Sequence, residues 1–387
     1  MISRNIKIFY ALETLLSLFG GIILPVYVVY FRHYGITLFQ VAVLAAVFET
    51  TIIVFELPTG HFADRFGRKL STAIGFLLFA LSGSIFIFFR SFGGFLIAEI
   101  IFGLAETFIS GALEALAVDS IEQQQRPSYL PRLFANRTVF RTSALLLGMI
   151  SGGFLASKEL SLLFYPFTAI AVIGFVTALF LTESGLSEKA DTPGESREKP
   201  ASLRQAIFGH RAVLALFAVG LLANFAYEPA DQFWQVLFSE IKDLPVSLFG
   251  ILTAAGLGVV ALSAGFTKKL YSKLSLYLSG CFLLMAAGIF GAVQLNLYPA
   301  VAGIVIYFIM KELVRPAVST HLNQLFESAN RAAYLSSFNL TCSIGEVAAG
   351  IIAGILAQQF SVVFVFYVAA VSALIVPFVY RICAGRR

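Results

Sequence analysis

The stretch GHFADRFGRK, residues 60–69, stands between two long apolar runs of the chain. Before residue 182, no other stretch of ten residues is as densely charged. The chain as a whole is 58% hydrophobic and only 13% charged, so such a block is expected in water at a membrane face. The stretch therefore predicts two membrane helices joined by a charged turn.

The composition is that of a polytopic helical membrane protein rather than of a soluble domain. The mean hydropathy is +0.86, and the chain has 40 Phe but one Trp. Three cysteines, Cys281, Cys342 and Cys383, lie in apolar surroundings without the spacing of metal ligands, which predicts buried, unreactive thiols and no metal site. The first apolar run has full spanning length, so no cleavable signal is predicted.

Twelve apolar segments are long enough to cross a bilayer, at about 20 residues for each span. In chain order these predicted spans 1 to 12 are 6–31, 37–58, 70–89, 92–118, 134–156, 161–181, 208–238, 245–267, 274–294, 297–318, 332–357 and 360–382. A gap at residues 182–202 separates the first six from the last six. It is rich in charge and lacks apolar periodicity, which predicts a flexible linker.

The block at residues 60–69 resembles the loop between helices 2 and 3 of major facilitator superfamily transporters. The shared pattern is a glycine, three residues, aspartate and arginine, one residue, a second glycine and two basic residues. The resemblance implies an all-α membrane protein with 12 transmembrane helices in two pseudo-symmetric six-helix bundles, residues 1–181 and 208–387, joined by a cytoplasmic linker at 182–207. It also implies a conformational latch between the bundles, formed by Gly60, Asp64, Arg65, Gly67 and Arg68.

The basic residues predict the orientation of the chain. An even number of spans puts both termini on one side of the membrane. With that side in the cytoplasm, twenty Lys and Arg residues are cytoplasmic, Arg137 among them, and four are outside, which agrees with the positive-inside rule. The four outside are Arg32, Arg90, Lys158 and Lys242. Those left within the membrane are Arg141, Lys311 and Arg315.

Charged residues inside the membrane are the first candidates for function, because a charge at the bilayer centre costs ~2.5–3.5 kcal/mol. Helical spacing aligns several of them in stripes. Span 7 carries Asn224, Glu228, Asp231 and Gln235, with Trp234 beside them. Span 10 carries Tyr307, Lys311 and Arg315, with Glu312 a quarter-turn away. Spans 4 and 1 carry Glu99, Glu106 and Glu114, and Tyr10 and Glu13.

In the superfamily, helices 1, 4, 7 and 10 line the central cavity, and the same spans of this chain hold most of its buried charge. The resemblance therefore implies a substrate cavity lined by Tyr10, Asn224, Trp234, Gln235, Tyr307, Lys311, Glu312 and Arg315. Burial disfavours a charged carboxylate, so a carboxyl group in such a cleft can bind a proton in one conformation and release it in another. The predicted proton-coupling residues are Glu106, Glu13, Glu228, Asp231 and Glu114, with Glu106 first.

Structural interpretations of the same charges remain open. The stripes of spans 7 and 10 can pair with one another as an ionic clasp. Glu13 or Glu114 can neutralise Arg141, which lies at a similar depth on span 5. Two further intramembrane carboxyl groups, Glu49 on span 2 and Glu346 on span 11, have no obvious partner in the sequence.

Span 5 resembles the glycine-proline motif of the superfamily's antiporters, with Met149 where a proline is usual. Small residues there allow another helix to approach closely. The residues predicted to serve packing and charge pairing are Arg141, Gly148, Gly152 and Gly153. On span 4, Glu99 stands near the place where drug–proton antiporters usually carry an arginine, which is a departure from their pattern.

These features predict a proton-coupled secondary transporter that exports amphipathic, hydrophobic or cationic small molecules by alternating access. The alternative is a carrier, symporter or exporter, of an anionic metabolite, a siderophore-like compound or a lipid-linked compound held by Lys311 and Arg315. A remoter alternative is a receptor or scaffold that binds a ligand without transporting it.

The sequence has neither the phosphate-binding loop of a nucleotide-driven pump nor a Ser-His-Asp or metal-ligand constellation. An enzyme is therefore not predicted. The proton is the predicted coupling ion, with no other cofactor and no metal. The expected partners are a small-molecule substrate and membrane lipids, without nucleic acid. We expect a monomer in a bacterial-type cytoplasmic (inner) membrane, with both termini in the cytoplasm.

Overall fold

The computed structural model describes residues 4–183, 211–267, 274–325 and 331–384. Within these ranges the chain is helical apart from short connections and contains no strand. The helices are α1 Arg4–Ile23, α2 Tyr27–His33, α3 Leu38–Phe66, α4 Arg68–Phe88, α5 Phe92–Asp119, α6 Arg126–Lys158, α7 Phe164–Ala178, α8 Arg211–Val236, α9 Ser247–Thr267, α10 Leu274–Ala292, α11 Leu297–Leu325, α12 Arg331–Gln359 and α13 Val362–Ala384. A 3₁₀ turn at Leu24–Val26 separates α1 from α2, and a π-helical turn at Leu237–Ile241 follows α8.

Among the described residues, 11 helical segments are long and apolar enough to cross a membrane, with α1 and α2 counted as one segment. Ser247–Val259, within α9, is a shorter apolar helix. This arrangement is consistent with twelve spans, and the predicted all-α membrane fold is confirmed. The predicted linker lies outside the described residues from residue 184 onward.

The chain divides into two compact units. The first comprises Met1–Ile36, Val47–Asp191 and Leu244–Ala254, and the second comprises Thr37–Ala46, Thr192–Asp243 and Ala255–Arg387. The divisions therefore fall inside α3 and α9 as well as in the middle of the chain. The predicted bundle boundaries, at 181 and 208, concern membrane bundles and stay a prediction.

In the first unit, α1 packs on α6, and α4 packs on both α5 and α7. The centre of this unit is aromatic. Phe19 lies with its ring centroid 4.9 Å from that of Phe79 and 4.7 Å from that of Phe167, and all three side chains are buried. Large aromatic side chains bury much area and pack edge to face, so the many Phe residues of this chain supply its core.

Glycines of α6 permit close approaches between helices in this unit. A Cβ at Gly148 or Gly152 would overlap backbone atoms of α1, at Leu18 and Ile22 respectively. A Cβ at Gly153 would lie 2.9 Å from the carbonyl oxygen of Ser247, at the start of α9. Side chains there would push the helices apart, so these three predicted packing residues lie where α6 meets two other helices.

The charged block is not a ten-residue turn, as the sequence suggested. Helix α3 continues through Phe66 and α4 begins at Arg68, which leaves Gly67 alone between them. Gly67 has a φ of +107°, a conformation that side chains disfavour and glycine adopts freely. Gly60 lies inside α3 with open space beside it. Gly60 therefore does not shape the turn, because one residue at positive φ, Gly67, is enough to reverse the chain.

In the second unit, α8 packs against α12 and α13, and α10 packs against α11 and α13. Trp234 of α8 is 3% exposed and meets the ring of Phe308 of α11 edge-on, with centroids 5.4 Å apart. Between α10 and α11, a Cβ at Gly288 would lie 2.7 Å from the carbonyl oxygen of Gly303. These contacts bring α8, α11 and α12 together around a cavity.

Candidate substrate cavity and coupling residues

The second unit contains a cavity of about 430 Å³ between α8, α11 and α12. This volume is within the range of sites that hold small molecules. Its charged lining residues are Glu228, Lys311, Glu312, Arg315 and Glu346. Asn224, Tyr227, Asn339 and Ser343 contribute further polar groups, and Phe338 contributes an apolar wall. The cavity thus presents both signs of charge beside aromatic surface.

Two residues of the stripe on α8, Asn224 and Glu228, line this cavity, because residues four apart share one face of a helix. Asn224 is 8% exposed, and its Nδ2 donates a hydrogen bond to the carbonyl oxygen of Cys342 at 2.8 Å. This bond ties α8 to α12 at the level of the cavity. Glu228, one turn further along α8, is also 8% exposed.

Lys311 is paired across the unit. It forms an ion pair with Asp231, and the hydroxyl of Tyr307 donates to the other carboxylate oxygen of Asp231 at 2.7 Å. The Nζ atom of Lys311 also lies 5.9 Å from the ring centroid of Tyr227, within reach of a cation–π attraction. The ion pair of Lys311 with Asp231 is the ionic clasp between spans 7 and 10 that the sequence analysis left open. It neutralises the charge of Lys311.

The other charges of the cavity have fewer partners. Arg315 and Glu312 are exposed and make no ion pair with any residue of the described ranges. Within the same ranges, Glu346 has neither a hydrogen bond nor an ion pair. Glu228 accepts a hydrogen bond from Nε2 of Gln232 at 3.1 Å. Charge is therefore available to a ligand in this cavity, chiefly as carboxyl groups.

A second charged network lies in the first unit. Glu13 is 3% exposed, and its carboxylate oxygens lie 2.7 Å from Nε of Arg137 and 3.6 Å from Nε of Arg141. Nη1 of Arg137 also donates to Glu114 at 2.6 Å. Counting charges by side of the membrane missed this role of Arg137. The available signal was its place inside predicted span 5, one helical turn before Arg141.

The carboxyl groups of α5 differ in their surroundings. Glu106, the first predicted proton carrier, is exposed and has no hydrogen bond or ion pair with a described residue. Glu99 is 1% exposed and accepts a hydrogen bond from the hydroxyl of Tyr27. The carboxyl group that replaces the usual arginine of span 4 is therefore buried against α2.

Four residues predicted for the substrate cavity do not line the cavity of the second unit. Tyr10 is in the first unit, where its ring packs 5.2 Å from that of Phe140. Trp234, Gln235 and Tyr307 are buried in the second unit, each at most 3% exposed, and do not line the cavity. The wall formed by α12 was not predicted, because the resemblance pointed only to spans 1, 4, 7 and 10. The sequence signal for it was the intramembrane carboxyl group of Glu346.

The basic residues of the charged block pair within the first unit. Arg68 forms an ion pair with Asp119, at the end of α5, and lies 3.8 Å from Asp64. Arg126 lies 3.2 Å from the other carboxylate oxygen of Asp119. Arg65 instead lies over the ring of Phe66, 5.3 Å from its centroid. Asp119 thus holds α4 and α6 to the end of α5.

The carboxylate at the N-terminus of α4 belongs to Glu183. Its Oε1 accepts a hydrogen bond from the backbone N–H of Lys69 at 2.7 Å, and a Cβ at Gly67 would lie 2.5 Å from its Oε2. Asp64 lies instead in the last turn of α3. A carboxylate is stabilised at a helix N-terminus by the helix dipole. The sequence placed Glu183 in the linker and so missed this contact.

Membrane-spanning helices that carry buried charge around a cavity are typical of secondary membrane transporters. The family model of the Major Facilitator Superfamily matches residues 10–311. The chain belongs to this superfamily.

The chain is also similar to three known proteins. The protein named Uncharacterized MFS-type transporter YxaM, from Bacillus subtilis (strain 168), is 26% identical over 97% of this chain and 95% of its own length. Multidrug resistance protein 2 of the same organism is 23% identical over 87% of this chain and 84% of its own. The crystal structure of the nucleoside transporter NupG matches with a TM-score of 0.82 at 14% identity, over 100% of both chains. At that identity the structural match concerns the fold alone.

Proposed function

We propose that this protein exports amphipathic, hydrophobic or cationic small molecules in exchange for protons, by alternating access. It acts as a monomer in a bacterial-type cytoplasmic membrane, among lipids, with both termini in the cytoplasm. The proton is the coupling ion, and no other cofactor takes part. Uptake of a proton by a cavity carboxyl group and release of the substrate are the two halves of the exchange.

The cavity of the second unit carries this proposal. Glu228 and Glu346 line it, and neither forms an ion pair with a described residue. Carboxyl groups in a site of low dielectric favour a proton or a cation as partner. The ring of Tyr227 beside them offers an aromatic face to an organic cation. The name of one Bacillus subtilis relative, Multidrug resistance protein 2, supports amphipathic, hydrophobic or cationic substrates.

Arg315 favours a second candidate function, the transport of an anionic metabolite, a siderophore-like compound or a lipid-linked compound. Arg315 lines the cavity and makes no ion pair in the described part of the chain. A guanidinium group binds carboxylate or phosphate through two parallel hydrogen bonds. Lys311 contributes less to such a site, because Asp231 already neutralises it.

Inverted bacterial membrane vesicles with an acidic interior and a fluorescent pH reporter test the proposal. We expect a lipophilic cation to collapse the gradient in vesicles that contain the wild-type protein. Glu106→Gln and Glu228→Gln, made separately, assign the coupling carboxyl group to α5 or to α8 by loss of the response. Asp243→Asn, an exposed site at a φ of 51° that suits asparagine, is the matched control and should behave as the wild type.

Two outcomes contradict this function. Silence with every cation, with a response to an organic anion that Arg315→Gln removes, supports the anion carrier. Binding of a cation by the purified protein without any effect on the gradient supports a receptor or scaffold that does not transport.

A further inference from the structure

We propose that Glu228 of α8 and Glu346 of α12 together bind one proton, and that a cationic group of the substrate displaces this proton from the cavity. The inference rests on the proposed exchange function and names its coupling site. It moves the proton from Glu106 of α5, the first expectation from the sequence, to a pair of carboxyl groups on two helices of the second unit.

The packing of α8 on α12 brings the two carboxyl groups to the same part of the cavity. A Cβ at Gly345 would lie 2.9 Å from Nδ2 of Asn224, and a Cβ at Gly350 would lie 3.8 Å from Oε2 of Glu228. The carboxyl group of Glu228 therefore stands opposite the turn of α12 that runs from Glu346 to Gly350. Both carboxyl groups line the same cavity of about 430 Å³.

Gln232 holds the carboxyl group of Glu228 in place. It is 8% exposed, and its Nε2 donates to Oε2 of Glu228 at 3.1 Å. A proton on the other carboxylate oxygen leaves this hydrogen bond intact, so Gln232 positions Glu228 in both protonation states.

The charges around the pair leave an excess of negative charge. On α11, Lys311 forms an ion pair with Asp231, which also accepts a hydrogen bond from Tyr307. Arg315 and Glu312 of the same helix are exposed. The other titratable groups near the pair are Cys342 of α12, Tyr227 of α8 and Cys281 of α10. Arg381 of α13 donates its hydrogen bond to the hydroxyl of Ser279. With all four carboxyl groups ionised, two cations face Glu228, Asp231, Glu312 and Glu346. One bound proton or one bound cation reduces this excess in a medium that disfavours net charge.

The cavity wall also suits the incoming cation. The ring of Tyr227 already attracts Lys311, at 5.9 Å, and its hydroxyl is buried without a hydrogen-bond partner in the described part of the chain. A lipophilic cation that enters the cavity meets this ring and the two carboxylates. The proton leaves the pair for water as the cation arrives, and no covalent bond between heavy atoms changes.

The test uses the purified full-length protein in detergent and tetraphenylphosphonium as the probe. In a weakly buffered solution, we expect the wild type to release about one proton for each cation bound, and its Kd to fall by about tenfold for each unit of rising pH over the range of exchange. Glu346→Gln and Glu228→Gln should each abolish proton release and flatten the pH profile. Asp243→Asn should show the proton release and the pH-dependent Kd of the wild type.

Infrared difference spectra follow the proton without any substrate. We expect a protonated-carboxyl band on acidification that either single variant removes, since the two groups share one proton. Each variant is used only if it elutes as a single folded species in size-exclusion chromatography. If Glu228→Gln does not fold, Glu346→Gln alone tests the pair. The band together with failure to bind any cation overturns the displacement step and the cationic substrate class. Wild-type proton release in both variants overturns the pair while the exchange function stands.

Discussion

At the scale of single residues, a charged side chain is buried where an oppositely charged side chain lies beside it. Glu13 is buried in the first unit because Arg137 and Arg141 approach its two carboxylate oxygens. Arg137 is the more enclosed of the two, with 19% of its side chain exposed against 52% for Arg141. It also holds Glu114. A buried carboxylate that loses its cation keeps the cost of leaving water.

We therefore expect Arg137→Gln to destabilise the protein by about 3–5 kcal/mol, the range seen when one partner of a buried pair is removed. Arg141→Gln should cost much less, because 52% of that side chain is exposed. Thermal unfolding in detergent measures the difference. Adding Glu13→Gln to Arg137→Gln should recover much of the loss, and equal effects of the two arginine variants would contradict the assignment.

Gly67 and Gly60 make a second comparison at this scale. Alanine at residue 67 must adopt a φ of +107° and a ψ of +142°, at a cost of roughly 1–3 kcal/mol, and must displace the carboxylate of Glu183 from the N-terminus of α4. Gly67→Ala should lower the unfolding temperature. Gly60→Ala should leave it unchanged or raise it, because the site is helical and open. A lower unfolding temperature for Gly60→Ala alone would reverse this reading of the turn.

At the scale of helices, the fold depends on where small residues permit close packing. The neighbouring glycines of α1 illustrate this. A Cβ at Gly21 would lie 2.5 Å from the carbonyl oxygen of Leu145 on α6, whereas nothing lies within 4 Å of a Cβ at Gly20. Both residues have the same chemistry, and only the packing of α6 distinguishes them.

Gly21→Ala is expected to separate α1 from α6 and to destabilise the protein by about 1–3 kcal/mol, as overpacking does. Gly20→Ala should be neutral. Unfolding temperatures of the two variants in the same detergent check this directly. Similar losses from both substitutions would show that α1 and α6 pack differently.

At the scale of the whole molecule, the superfamily assigns the charged block a role as a latch during the transport cycle, which stays a prediction for this chain. Asp64 is 73% exposed and 3.8 Å from Arg68, while Arg68 is also paired with Asp119. An exposed carboxylate of this kind contributes little to folding. Its effect should therefore be seen in turnover rather than in stability.

Asp64→Asn should slow transport severalfold while the affinity for ligand stays within about twofold of the wild type, since the substrate cavity is unchanged. Glu122→Gln is the matched control, because Glu122 is exposed and its carboxylate accepts a hydrogen bond from the nearby Gln125 at 2.9 Å. Ligand binding to purified protein and transport in vesicles, measured on the same preparations, separate the two effects. Loss of ligand binding in Asp64→Asn would contradict the latch.

The sequence by itself determined the membrane class, the all-α fold and the approximate spans. Bilayer thickness sets the length of each apolar run, and the helix period sets which residues share a face, so both can be read locally. It also selected Asn224, Glu228, Lys311, Glu312 and Arg315, which line the cavity of the second unit.

The tertiary structure alone decided which charged groups meet. Arg137 forms ion pairs with Glu13 and Glu114, and Asp231 forms one with Lys311. Glu183 accepts a hydrogen bond from the backbone of Lys69 in α4, 114 residues earlier in the chain. It also decided that α12 supplies a wall of the cavity and that one glycine suffices for the turn after α3. Such pairings depend on which helices pack together, and that packing follows from side-chain shapes far apart in the chain, which no local pattern records.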